Sequence, residues 1–259
     1  MKTCLLLSLL LLLASFGSRI AFAADIPPGH QSTYVIVHGA WGGGWAFKEI
    51  DRLLTADGNC VYRPTLTGLG EKSHLARADI NLSTHITDIV NVILWEDLHD
   101  VVLVGHSYGG MVITGVIDRV PDRIKRVVYL DALVPENGES WQTLRPSPPA
   151  DIKAVNGFYV PPWVKDFSAK PPHDMPHPAA TYTEPVTLTH STPPKIPTTY
   201  ILTVDEGKQP EDDGFFSSYQ RAKKYGWETV IMTGDHNVQW SKPKELVTLL
   251  ETKTGQASR

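Results

Sequence analysis

The sequence is poor in cysteine, with two in 259 residues, Cys4 and Cys60. Cys4 sits in an apolar leader, so the rest of the chain has no second thiol for an internal disulfide. Stability must come from a packed core. Zinc-type Cys/His spacing, heptads and internal repeats are all absent, which excludes zinc modules, coiled coils and solenoids. Neither sign of charge is in excess. Lys and Arg number 24 against 28 Asp and Glu, for a net charge of −4, and this offers no basic footprint for nucleic acid or an anionic membrane.

An N-terminal leader is present. Lys2 gives a positive start, Cys4 to Ala14 is an almost unbroken apolar run, and Ala21-Phe22-Ala23 offers an A-x-A cleavage site. The pattern reads as a secretory signal peptide over 1–23, with Ala24 the first mature residue and a periplasmic or secreted product. The run is too short to span a bilayer comfortably. Residues 24–259 have the length of one domain. Asn81-Leu82-Ser83 fits a glycosylation sequon, a triplet common by chance.

The stretch that organises the rest is Val101 to Gly110, VVLVGHSYGG. Four apolar residues predict a buried strand. Gly105-His106-Ser107-Tyr108-Gly109 forms a G-x-S-x-G pattern, and Met111, Val112, Ile113 and Val116 follow at roughly helical spacing. Strand, sharp turn and helix put Ser107 at the apex as a candidate nucleophile. Side chains at positions 105 and 109 would collide with the adjoining strand and helix, so small residues are needed there. Helix N-terminal amides point at the same spot, where negative charge would develop.

Around this elbow, strands alternate with helices. Strands are predicted at Thr33–Val37, Cys60–Pro64, Arg126–Leu130, Tyr200–Val204 and Glu228–Met232. Helices are predicted at Trp45–Ala56, after Ser83-Thr84 as the cap, at Phe215–Tyr225 and at Lys244–Leu250. Alternation of this kind predicts an α/β fold with a mostly parallel central sheet flanked by helices. From about 132 to 198 the pattern collapses, and fourteen of the chain's twenty prolines fall there. So long a connection serves as a cap or binding segment. Its aromatics Trp141, Phe158, Tyr159, Trp163, Phe167 and Tyr182 either wall an apolar pocket or pack on the domain.

On the elbow and its setting the chain resembles the α/β-hydrolases. It is most similar to the small-lid branch of plant methyl-ester esterases and hydroxynitrile lyases and to their bacterial esterase relatives. A serine nucleophile needs two N–H donors for its oxyanion. One is the amide after the nucleophile, that of Tyr108. The other, by resemblance to plant enzymes whose loop also begins His-Gly-Ala, is the amide of Ala40 in His38-Gly39-Ala40. Chain order in this fold is serine, acid, histidine. His173, His177, His190 and His236 follow the elbow, and only His236 lies just beyond a C-terminal strand. The plant relatives carry a matching Gly-x-Asp-His segment. His38 and His106 flank the site and are expected to pack beneath loops.

Two strand ends offer the acid. Asp131 follows the strand after the elbow helix, as in the haloalkane dehalogenases and a fungal lactonase that resemble this fold. A carboxylate at the end of a buried strand needs a partner, and His236 would be one. Glu206, beside Asp205, matches the plant enzymes' acid after the later strand. Asp131 is preferred, because Asp205-Glu206-Gly207-Lys208 reads as a solvated turn.

The resemblance implies hydrolysis of carboxylic esters, or lactones and related acyl compounds, of small and partly apolar substrates through an acyl-enzyme on Ser107. No cofactor or metal is implied, and the expected partner is a small ester. The alternative is a C–C lyase on cyanohydrins, but the lyases carry lysine where Asn237 stands, and they lack His106. A hormone-receptor role on this fold is disfavoured by the leader. A haloalkane dehalogenase needs aspartate where Ser107 stands.

Overall fold

The computed structural model describes residues 32–145, 154–190 and 194–253. The leader expected over 1–23 lies outside the described residues. Chain order gives β1 (Thr33–Val37), α1 (Lys48–Ala56), β2 (Cys60–Tyr62), α2 (Leu82–Trp95), β3 (Val101–Ser107), α3 (Gly109–Arg119) and β4 (Ile124–Ala132). Among the described residues, the connection that follows holds short elements: α4 (Trp141–Leu144), β5 (Ala154–Val155), β6 (Phe158–Tyr159), β7 (His177–Pro178) and α5 (Ala180–Thr183). The chain then closes with β8 (Thr198–Val204), α6 (Phe216–Lys224), β9 (Glu228–Thr233), α7 (Val238–Ser241) and α8 (Pro243–Lys253).

Six strands form one parallel sheet in the order β2-β1-β3-β4-β8-β9, while β5, β6 and β7 form a small antiparallel sheet. The predicted strands are all present, and β4 and β8 extend beyond their predicted ends. Strand alternation sends side chains to opposite faces. Val35, Val37, Val101 and Leu103 pack with α2 and α3 on one side. Tyr34, Ile36, Val102 and Val104 pack with α1 and α8 on the other. Both faces are covered, which is why the strands read as near-continuous apolar runs.

Two local expectations needed adjustment. The cap of α2 is Asn81, whose Oδ1 accepts the Thr84 N–H at 3.0 Å, and not Ser83 or Thr84. An Asx cap satisfies one of the helix's free amides, so the sequon asparagine is engaged locally. The predicted first helix begins with a 3-10 turn over Gly44–Phe47 before α1. The elbow glycines meet the predicted obstruction. A Cβ on Gly109 would stand 2.6 Å from the Val37 carbonyl oxygen, and one on Gly105 would stand 2.7 Å from Ile113 Cδ1. Helix α3 can therefore press its first turn against the ends of β1 and β3.

Candidate active site

Ser107 ends β3, and its backbone turns to φ +56°. A residue with a Cβ rarely adopts that region, and it persists only where the surroundings impose it. Here the strand must reverse into α3 within one residue. The turn brings Ser107 to the boundary of two cavities. One, of about 460 Å³, also borders Ala40, Asp174, Gln239 and Trp240. The other, of about 310 Å³, borders Tyr108, Trp141, Arg145, Asp213 and Phe215. Trp41, Ser107 and His236 line both.

The loop after β1 runs against the serine. A Cβ on Gly39 would stand 2.9 Å from Ser107 Cβ and 3.4 Å from its Oγ. Ala40 follows directly in the larger cavity, and Tyr108 occupies the N-cap position of α3. The next residue, Trp41, is held at three points by the segment between β4 and β8. Its N–H donates to His177 Nδ1 at 3.2 Å, its indole N–H donates to the Tyr159 carbonyl at 3.2 Å, and its carbonyl accepts the Met175 N–H at 2.8 Å. Trp41 itself sits at φ +63°. Because Nδ1 accepts, His177 carries its proton on Nε2, which donates to Thr181 Oγ1 at 2.8 Å.

Asp131 is fully buried near the end of β4. The ladder pairs His106 with Leu130 and Ser107 with Ala132, so Asp131 is skipped in a bulge, with φ +43°. Bulges re-aim a side chain out of the ladder. The carboxylate is satisfied on both oxygens. Oδ2 accepts His236 Nδ1–H at 2.5 Å, and Oδ1 accepts the Thr203 N–H at 3.1 Å. The second bond ties the acid to the neighbouring strand β8. Glu206 and Asp205 stand exposed in the turn after β8, closed by the Lys208 N–H on the Asp205 carbonyl at 3.0 Å. The acid in contact with His236 is thus Asp131.

His236 lies in the loop after β9. Its carbonyl accepts His106 Nε2–H at 2.8 Å, and its ring stacks on Phe215 with centres 5.0 Å apart and planes 5° apart. The Phe215 ring in turn carries the Arg145 guanidinium, 4.7 Å from its centre. Burial, then the nearby His236, holds the His106 imidazole well below its ordinary pKa, so it is a neutral donor. His38 is lowered to about 4 by burial. It accepts the Leu66 N–H at Nε2 (3.1 Å) and donates from Nδ1 to the Gly39 carbonyl (2.7 Å). Both flanking histidines thus hold loops in place. Among the described residues no group of three His, Cys, Asp or Glu side chains is arranged to hold a metal ion.

Residues 34–249 match the model of the alpha/beta hydrolase family. The chain belongs to that family. This hydrolase is 35% identical over 237 residues to the carbendazim hydrolyzing esterase of Nocardioides sp. (strain SG-4G), spanning 83% of this chain and 97% of that relative. It is 31% identical over 109 residues to methylesterase 2 of Arabidopsis thaliana, a match that covers 41% of each chain. Among solved structures it superposes on an extracellular α/β-hydrolase from a Paenibacillus species, described as sharing structural and functional homology with tobacco salicylic acid binding protein 2. That match has a TM-score of 0.72 and 26% identity, covering 86% of this chain and 99% of the other. The hydrolase is a carboxylic ester hydrolase.

Some of the site had no signal in the sequence. The six aromatics of the 132–198 segment divide. Trp141 and Trp163 line the cavities, whereas Tyr182 packs edge-on against Trp141 and Phe167 lies against His173. Arg145, Asp174, Asp213 and Gln239 all line the cavities without belonging to a motif. Phe215 was legible only as a helix start. His177 follows the elbow in chain order but lies in the proline-rich segment, and neither chain order nor strand position carries a signal for a loop support.

Proposed function

We propose that Ser107 is the nucleophile, His236 the general base and Asp131 the orienting acid in hydrolysis of small, partly apolar carboxylic esters. The observation that carries this reading is the 2.5 Å contact from His236 Nδ1 to a buried Asp131, with Ser107 on the same cavity wall. Donation from Nδ1 leaves Nε2 with its lone pair towards the substrate, the tautomer a base requires. Ser107 Oγ attacks the ester carbon as its proton passes to Nε2. The carbonyl oxygen takes up the negative charge under the amides of Ala40 and Tyr108. The proton on Nε2 then goes to the departing alkoxide, leaving an acyl-serine. Water, deprotonated by the same nitrogen, releases the acid. No bond is made to a metal or cofactor.

Cyanohydrin cleavage is not favoured, since Asn237 stands at the lysine position of the lyases, and its N–H donates to Asp235 Oδ1 at 2.9 Å. Residues 132–198 are proposed as a cap on the single domain 24–259, and residues 1–23 as an export signal. N-terminal sequencing of secreted protein should begin at Ala24.

The test is hydrolysis of p-nitrophenyl butanoate with peptide mapping of a fluorophosphonate adduct. The adduct should lie on Ser107, and Ser107→Ala should lower kcat by about 10⁴-fold or more. Activity retained in that variant, or a label on another serine, refutes the assignment.

A further inference from the structure

The larger cavity has tryptophan walls and an end rich in hydrogen-bond acceptors. Trp163 and Trp240 are half exposed there, beside Trp41. Asp174 stands among them. Its Oδ2 accepts the Trp163 indole N–H at 2.7 Å, and no other donor reaches the carboxylate among the described residues. Its Oδ1 faces the loop after β1, 3.8 Å from where a Cβ on Gly42 would stand. Gln239 lines the same cavity. It is 1% exposed, its Nε2 donates to Asn237 Oδ1 at 3.0 Å, and its Oε1 has no partner among the described residues.

Asp174 borders a cavity with no lysine or arginine in its lining. A carboxylate drawn partly out of water is costly without a donor or counter-ion, and so is a buried amide oxygen left unpaired. Burial accordingly raises the Asp174 carboxyl above its ordinary pKa. The smaller cavity differs, because Arg145 and Asp213 place both signs of charge in its wall. The larger cavity thus has a carboxylate and no cationic side chain in its wall, while the smaller has both.

We propose that the larger cavity recognises a nitrogen donor, so that the preferred substrates are esters carrying a protonated amine or N–H group. That group donates to Asp174 Oδ1 and lies against the tryptophan faces, where a cation is also attracted by the rings. Asp174 touches no reacting atom; it sets specificity. The proposal rests on Ser107 being the nucleophile of this cavity.

Near-isosteric ester pairs test it at neutral pH. One pair is 2-(dimethylamino)ethyl butanoate against 3-methylbutyl butanoate, with the amine in the alcohol. The other is ethyl 6-aminohexanoate against ethyl heptanoate, with the amine in the acyl part. In at least one pair kcat/KM should favour the amine by about tenfold or more. Asp174→Asn should bring that ratio towards one. Calorimetric binding of the same pairs to Ser107→Ala gives the preference without turnover, with Kd about tenfold tighter for the amine. This arm stands even if Asp174→Asn does not fold. Equal affinity within both pairs, or a preference that survives in folded Asp174→Asn, overturns the proposal. Full turnover by Ser107→Ala would instead overturn the nucleophile assignment.

Discussion

The carboxyl edge of the parallel sheet and the segment between β4 and β8 build the site by different means. Ser107, Asp131 and His236 each stand at or just past a strand end, and β3, β4, β8 and β9 are hydrogen-bonded neighbours. Their positions follow from backbone register, where a one-residue slip would turn every side chain to the other face. Among its described residues the segment has strands of two residues and helices of four. It reaches the site through single side-chain bonds, such as His177 to Trp41, and through ring contacts such as Trp41 with Trp163 at 5.4 Å. The proposed catalytic residues are placed by ladders, while the proposed substrate contacts are placed by side chains. The first kind of placement tolerates little change, and the second can be altered piece by piece.

The largest effect should therefore come from the sheet edge. Asp131→Asn keeps the shape but removes the acceptor that fixes the His236 tautomer, and kcat should fall by about 10⁴-fold. Glu206→Gln, in its exposed turn, should change kcat by less than about twofold. Steady-state kinetics on a p-nitrophenyl ester reads both. If Trp141→Ala in the segment cost as much as Asp131→Asn, the division between ladders and side chains would be broken.

The same division explains what the sequence disclosed. Buried parallel strands leave apolar runs, and a sharp strand-to-helix turn leaves glycines, so β3, the elbow and Ser107 were legible. Asp131 was legible because a carboxylate after an apolar strand has few explanations. The bulge that turns it towards His236 was not, since skipping one residue in a ladder leaves no compositional mark. Asp174 and Arg145 were illegible for a further reason. Their roles depend on long-range contacts across a proline-rich stretch with no period. The stacking of Phe215 on His236 joins residues 21 positions apart whose neighbours predict only a helix and a loop.

A second test asks whether the two regions unfold together. His38 packs at the end of β1, and His85 on α2 lies 5.8 Å, ring to ring, from His177 in the segment. Burial lowers His38 and His85 to about 4, and holds His177 well below its ordinary value. Each folded pKa lies below the unfolded value near 6.5, so the unfolded chain binds more protons between those limits. Stability is then complete above about pH 6.5 and is lost as pH falls towards 4, by about 3 kcal/mol for each of His38 and His85. Urea unfolding at pH 7 and at pH 4.5 should show one transition that moves to lower urea in acid. Two separated transitions in acid would mean that the segment melts alone, and the side-chain attachments would be weaker than the packing suggests.

A smaller loss is expected at one of the three attachments that cross from the segment to the loop beside Ser107. The His177 imidazole accepts the Trp41 N–H, and Trp41 follows Ala40, whose amide is the proposed second oxyanion donor. His177→Phe fills similar space but offers no acceptor, so the loop loses one of its three ties. Removing an oxyanion donor outright costs about 10²–10³ in kcat. Loosening its neighbour should cost less, about tenfold, and should fall on kcat more than on KM, because the donor acts on charge present only in the transition state. His177→Gln keeps an acceptor and should recover part of the loss. A lower Tm with unchanged kcat would make the segment a wall around the substrate and nothing more. A loss in kcat rescued by glutamine would show that the segment also helps hold the amide on which the reaction depends.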